Sequence, residues 1–216
     1  MSAFTSPPDA DTAAGAPPPD LATAAAAVKI EGEEIPAAVL VPLFLTGTPT
    51  SQTPHVVLTK RRADLRRHAG EISFPGGRRD PEDPDLTTTA LREAEEEIGL
   101  PREQARLLGG LPQTSTFATR YVIHPAVAEI PAGLAWRLSA KEVDAVLELP
   151  LTDIQAGARR IPIERRGITF ETDAYIVGEH TIWGATARIL AHLFDRLAFN
   201  ANSGIALTPP APANIS

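Results

Sequence analysis

The sequence predicts an α+β domain flanked by two tails, on three observations. Short β-branched or aliphatic runs recur between turn-rich stretches from Ala37 onward. Two other segments space their apolar residues at helical period, and both chain ends are too poor in large apolar groups to pack. With 216 residues the chain is long enough for one sizeable core. Residues 1–30, with Pro7-Pro8 and Pro17-Pro18-Pro19, are expected to be a disordered N-terminal tail, residues 31–198 the folded domain and residues 199–216 a C-terminal tail.

The elements follow in chain order. "AAVLVPLFL" (Ala37 to Leu45) and "HVVLTKR" (His55 to Arg61) read as strands, separated by the polar loop "TGTPTSQTP". A glycine turn at Gly76-Gly77 precedes a helix expected from Asp85 to Ile98, closed by Gly99 with Pro101 just beyond. "ARLLGGL" (Ala105 to Leu111), "YVIHPAVAEI" (Tyr121 to Ile130), "AVLELPL" (Ala145 to Leu151) and the alternating "ITFETDAYIVG" (Ile168 to Gly178) are further strand candidates, with a helical turn as the alternative over Lys141 to Leu147. Thr181 caps the last helix, Thr181 to Leu197, which places Trp183, Leu190, Phe194 and Leu197 on one face.

Composition narrows the function. A formal charge of −7 opposes broad binding to nucleic acid or an anionic membrane, both of which rest on a summed positive field. With no cysteine there is no disulfide, thiolate metal site or cysteine nucleophile. No apolar run approaches the roughly 18 residues of a membrane span, and the alanine-rich N-terminus lacks the basic segment of a signal peptide; a cytoplasmic location is expected.

The chemistry concentrates in "REAEEEIGL", Arg92 to Leu100. Glu93, Glu96 and Glu97 stand at i, i+3 and i+4, which gathers three carboxylates on one arc of a helix while Leu91, Ala94 and Ile98 face inward. Taken alone, such an arc also suits a solvated acidic face, because like-charge pairs at these spacings cost only about 0.2–0.5 kcal/mol each. The glycine turn upstream tips the balance. Mg²⁺ and similar hard cations take oxygen ligands from a few carboxylates together with substrate phosphates, and glycine lets a backbone carbonyl approach such an ion.

Gly77, the loop acid Asp83 and the run Arg92-Glu93-Ala94-Glu95-Glu96-Glu97-Ile98-Gly99-Leu100 resemble the Nudix box, G-x5-E-x7-R-E-U-x-E-E-x-G-U with U aliphatic. The second half matches at every specified position; Asp83 replaces the loop glutamate, and the segment before Arg92 is one residue longer. The resemblance implies an α/β/α sandwich around a mixed sheet and hydrolysis of a nucleoside diphosphate linked to another group, with Mg²⁺ or Mn²⁺. It implies Glu93 and Glu97 as metal ligands, Glu96 as a third ligand or the group that orients the attacking water, and Arg92 as the ion-pairing partner of the carboxylates. Glu142, Asp144 and Glu148 are downstream candidates for the base.

"LTKRRADLRRHAGEISFPGG" (Leu58 to Gly77) sets Lys60, Arg61, Arg62, Arg66, Arg67 and His68 just before the turn, a local basic patch on an acidic chain. It resembles the second motif of the coenzyme A pyrophosphatase branch, L-L-T-x-x-S-A-x3-R-x3-G-x3-F-P-G-G. Leu58, Thr59, Arg66, Gly70 and Phe74 to Gly77 match, while Arg62 stands where that motif has Ser and the spacing after Ala63 is one residue tighter. "TIWGATARIL" is similar to the C-terminal helix of that branch. The implied substrate is coenzyme A or a derivative, with Arg61, Arg66, His68, Gly76 and Gly77 binding it; ADP-ribose, a nucleotide sugar or a nucleoside triphosphate is the alternative, and a non-catalytic nucleotide sensor the third reading. The expected partner is thus a small molecule, with room for a homodimer.

Overall fold

A computed structural model describes residues 33–63, 70–116, 119–165 and 167–197. Among the described residues the fold has two sheets and three α-helices, with a single 3-10 turn over Arg102–Gln104. The first sheet has eight strands: β1 (Ile35–Thr48), β2 (Ser51–Arg61), β3 (Ile72–Ser73), β4 (Gly76–Arg78), β5 (Arg106–Gly110), β6 (Thr114–Ser115), β7 (Tyr121–Glu129) and β8 (Val143–Pro150). Its main path runs β3-β2-β1-β7-β5, with β4 also on β1, β6 on β7 and β8 on β2. β1 and β7 are parallel and the other pairings antiparallel, so the sheet is mixed. The second sheet is β9 (Ala158–Arg165), β10 (Ile168–Val177) and β11 (His180–Trp183), all antiparallel. The helices are α1 (Leu86–Ile98), α2 (Leu151–Ala156) and α3 (Gly184–Leu197).

β1 explains the layering. Every residue from Ala37 to Phe44 is buried, as expected of a central strand covered on both faces. Alternate side chains enter different cores. Val39, Val41 and Leu43 join Ile154 of α2, Ile182 of β11 and Ile189, Leu190, Leu193 and Phe194 of α3. Ala38, Leu40 and Phe44 join Ala90, Ala94 and Ile98 of α1. This is the expected α/β/α sandwich, an α+β fold with its mixed sheet between helical layers.

The contact face of α1 is built largely of small side chains, Ala90 and Ala94, with fully buried Ile98 at its end. Small residues let the helix lie close to β1 and β4, and that closeness carries its acidic flank to the glycine turn. Asp85 caps the helix by accepting from the Thr88 N–H at 2.7 Å, and Gly99 ends it in the left-handed conformation at φ 70. Both ends are where the sequence puts them.

Three expectations are corrected, and two elements are added. The stretch expected as a loop, Thr46 to Pro54, is mostly hairpin ladder: Thr46 pairs with Thr53 and Thr48 with Ser51, leaving only Pro49 and Thr50 as the turn. Backbone pairing carries strands beyond their apolar portion, so polarity marks the end of burial and not the end of the strand. The C-terminal helix begins at Gly184; Thr181 is no cap but pairs with Ile176 in β11, and Trp183 tilts against Phe170, their centroids 6.4 Å apart. Val143–Pro150 is a strand paired along β2, which removes the helical-turn alternative. Finally, β9 and α2 had no counterpart in the sequence reading, since "ARRIPIER" offers little apolar alternation and its described side chains lie largely at the surface.

Candidate active site

The site forms where α1 crosses the β4 turn. Gly76 pairs with Val39 and Gly77 with Ala38. At Gly76, φ is 156 and a Cβ would fall 2.3 Å from the Ala38 carbonyl oxygen, so no side chain can stand there. A Cβ on Gly77 would fall 2.6 Å from the Glu93 carboxylate. The second glycine therefore makes room for an acid rather than for backbone.

Glu97 lies deepest, its side chain 5 % exposed. The Gly76 N–H donates to its Oε2 at 3.2 Å, and the Arg61 guanidinium stands 3.6 Å from its Oε1. Burial pushes this carboxyl up from 4.5 to about 7, against the opposing pull of the Gly76 N–H and Arg61 and with added repulsion from Glu93 and Glu142. Burial likewise raises Glu93, although Arg92 at 3.0 Å counters it. Glu96 is the outlying member, 58 % exposed and paired with Arg92 at 3.2 Å.

Arg92 is the hub of the cluster. Its Nε and Nη2 donate to Asp83 at 3.1 Å while the same guanidinium pairs with Glu93 and Glu96. Asp83 is buried and also accepts from the Asp80 N–H at 3.0 Å and the Thr89 hydroxyl at 2.9 Å. Those bonds, that from Arg92 foremost, hold its carboxyl down at about 2, and Asp83 in turn is the chief reason Arg92 is raised. Arg79 fastens the same loop, donating to the carbonyls of Asp83 and Pro84. Thr89 and Arg79 went unremarked in the sequence; a threonine six residues after a loop acid is the faint signal that was there.

Loop 137–142 closes the other side. The Arg137 N–H donates to the Ile98 carbonyl, the Ser139 N–H to the Glu97 carbonyl at 2.8 Å, and the Arg62 N–H to the Glu142 carbonyl at 3.1 Å. The loop is thereby tied both to the end of α1 and to the end of β2, which brings Glu142 within 3.9 Å of Arg61 and into the field of Glu93 and Glu97. Asp144 and Glu148 are exposed, and Glu148 accepts from Trp136 Nε1 at 2.7 Å. Arg66 and His68 lie outside the described residues.

Among the described residues no three acidic or histidine side chains are arranged to hold a metal ion as they stand. Arg92 draws Glu93 and Glu96 to itself, and Glu97 leans on Gly76. The donor chemistry nonetheless suits a hard divalent cation: a buried and a half-buried carboxylate that repel each other, beside a glycine whose missing side chain leaves Glu93 its place, with water and substrate to complete an octahedral shell.

A sequence model of the family described as NUDIX domain matches residues 34–165, more than half of the chain. The chain is 37% identical over 163 residues to a protein from Photorhabdus laumondii subsp. laumondii named "Uncharacterized Nudix hydrolase NudL", covering 74% of this chain and 84% of that one. A protein of the same name from Yersinia pestis is 36% identical over 164 residues, 75% of this chain and 79% of its own. Among solved structures, a Nudix hydrolase from M. smegmatis, RenU, aligns with TM-score 0.48 and 21% identity over 58% of this chain and 76% of that one. The chain belongs to the Nudix family. No helix among the described residues is long and apolar enough to cross a membrane.

Proposed function

We propose that the protein hydrolyses the diphosphate bond of coenzyme A or its derivatives, releasing 3′,5′-ADP and 4′-phosphopantetheine or its acyl form. The observation that carries this reading is the position of Arg61: the basic stretch that resembles the coenzyme A motif ends its strand with a guanidinium 3.6 Å from the deepest carboxylate of the box. Guanidinium pairs with phosphate oxygens at two points, and a substrate bearing an extra phosphomonoester gives such a patch more to hold. Arg66 and His68 of the same stretch are assigned to that group, and the backbone of Gly76 and Gly77 to the diphosphate.

Glu93 and Glu97 would hold Mg²⁺ or Mn²⁺, with Glu96 entering as third ligand or as the group that orients water. When bound, such an ion neutralises charge on the diphosphate oxygens and acidifies water beside it. The chain's own residues do the rest. Arg92, immobilised by Asp83, fixes the direction of Glu93, while Glu142 stands at the mouth of the cluster as the best-placed base. Attack of water oxygen on phosphorus breaks one P–O bond, the proton passes to the base, and the departing phosphate takes the released electron pair.

The test is a panel of coenzyme A, dephospho-coenzyme A, ADP-ribose and NADH with Mg²⁺ or Mn²⁺. Coenzyme A is expected to give the highest kcat/KM. Rapid cleavage of ADP-ribose with coenzyme A untouched would transfer the substrate assignment to ADP-ribose, and no cleavage of any member would favour the nucleotide sensor.

A further inference from the structure

Among the described residues two arginines pair with the acidic cluster, and they are held very differently. Arg92 is fastened by hydrogen bonds of about 3.1 Å to a buried aspartate. Arg61 has a backbone pinned on both sides, its N–H donating to the Glu71 carbonyl at 3.0 Å and its carbonyl accepting from the Gly70 N–H at 3.2 Å, at a register irregularity of β2 against β8. Its guanidinium, by contrast, stands 3.6 Å from Glu97 and 3.9 Å from Glu142. Those separations are too long for hydrogen bonds and short enough for strong charge attraction. Among the described residues the side chain is thus anchored at its root and held at its tip by charge attraction.

We propose that Arg61 is an exchangeable counter-ion: it compensates Glu97 and Glu142 in the free protein, and a divalent cation displaces it toward the anionic oxygens of the substrate. The assignment of Glu97 as a metal ligand comes from the function proposed above; the exchange itself does not depend on which diphosphate is the substrate. Two like charges crowded against one buried carboxylate repel, so a cation arriving alone must work against Arg61. A diphosphate arriving with it gives the guanidinium a new partner and removes the conflict. Arg92 cannot take this part, because leaving Asp83 would strand a buried charge. By linkage, the metal and the diphosphate each tighten the other's binding, and Arg61 is the positioning residue that couples them.

The test is Mn²⁺ binding to the full chain, followed by electron paramagnetic resonance, with and without methylene diphosphonate, a diphosphate that cannot be hydrolysed, corrected for Mn²⁺ held by the diphosphonate itself. Arg61→Gln is expected to bind Mn²⁺ alone about five- to tenfold more tightly than the natural chain, and to lose the roughly tenfold gain that diphosphonate confers. Arg61→Lys, which keeps a charge on a shorter reach, is expected to retain part of that gain. An unchanged or weaker Mn²⁺ affinity in Arg61→Gln, with circular dichroism showing the fold intact, would overturn the proposal. Should Arg61→Gln not fold, Arg61→Lys decides: diphosphonate coupling equal to that of the natural chain, or absent with Mn²⁺ affinity unmoved, overturns it equally. If coupling is seen and coenzyme A is not cleaved, the substrate assignment fails while the exchange stands; the reverse result separates them in the other direction.

Discussion

Asp83 and Glu97 are both buried carboxylates at the β4–α1 junction, 6 % and 4 % exposed, yet their environments pull in opposite directions. Asp83 meets a guanidinium, a hydroxyl and a backbone N–H, and its proton affinity falls to about 2. Glu97 meets one backbone N–H, a guanidinium beyond hydrogen-bond distance and two other acids, and its affinity rises to about 7. A carboxylate satisfied by its surroundings stabilises the fold. One left undersatisfied costs stability and is kept for what it can bind. The glycine turn enforces the difference by offering Glu97 a single donor and Glu93 a gap without a side chain.

If that division is right, Glu97→Gln should show the largest effect, confined to chemistry. Hydrolysis of the best substrate in the panel is expected to fall at least about 10³-fold in kcat, the scale of removing one group that acts on transition-state charge. The melting temperature should hold or rise, since the amide oxygen can still accept from Gly76 and no buried charge remains. A fall in stability matching the loss of activity would mean that Glu97 is structural.

Gly77→Ala probes the gap itself. The new methyl would meet the far end of the Glu93 side chain at 2.6 Å, not backbone, so the fold can yield by moving the carboxylate. Activity should drop about 10²-fold, as misplacement of a ligand by about 1 Å typically costs. The melting temperature should move little. An active Gly77→Ala protein would remove Glu93 from the site.

Asp83→Asn should invert the pattern. Asparagine cannot compensate Arg92, whose side chain is 19 % exposed, and the broken pair is expected to cost about 2–3 kcal/mol, at the lower edge of fully buried cases. In thermal unfolding that corresponds to a drop of roughly 5–10 °C. Activity should fall less than for Glu97→Gln, because Glu93 and Glu97, the acids proposed to hold the metal, remain.

Much of this was legible beforehand, for reasons that differ by residue. Glu93, Glu96, Glu97 and Gly77 sit in a helix and a turn whose local periodicity and caps, Asp85 and Gly99, encode their geometry without reference to the rest of the chain. The exposed pairing of Glu96 with Arg92 was not legible, since it depends on where Arg92 is pulled, and Asp83 lies nine residues before Arg92 across a proline-broken loop. Glu142 emerged from three downstream acids only through bonds that tie its loop to Ile98, Glu97 and Arg62, contacts no spacing announces. In the fold, β1 and α1 declared themselves by burial on two faces or one, whereas β9 and the end of the first hairpin rest on backbone pairing, which composition does not record.

The smallest effect expected is on pH-dependent stability without metal, and there the two carboxylates should separate by sign. Between 4.5 and about 7 the folded chain keeps a proton on Glu97 that the unfolded chain has lost, so stability declines as pH rises through that window and levels off above it. The rise, in which the pull of Arg61 is already included, sets a ceiling of about 3 kcal/mol on that loss. Asp83 acts oppositely: its contribution is complete above 3.8 and disappears as pH falls toward 2. Denaturant titrations in a chelator from pH 3 to 8 should therefore peak near pH 4 to 5, and Glu97→Gln should flatten the upper side of that peak while leaving the acid side intact. Mn²⁺ added near pH 7.5 should restore what the ionised Glu97 removes. A peak whose upper side is unchanged by Glu97→Gln would place the undersatisfied charge elsewhere in the cluster, with Glu93 the next group to substitute.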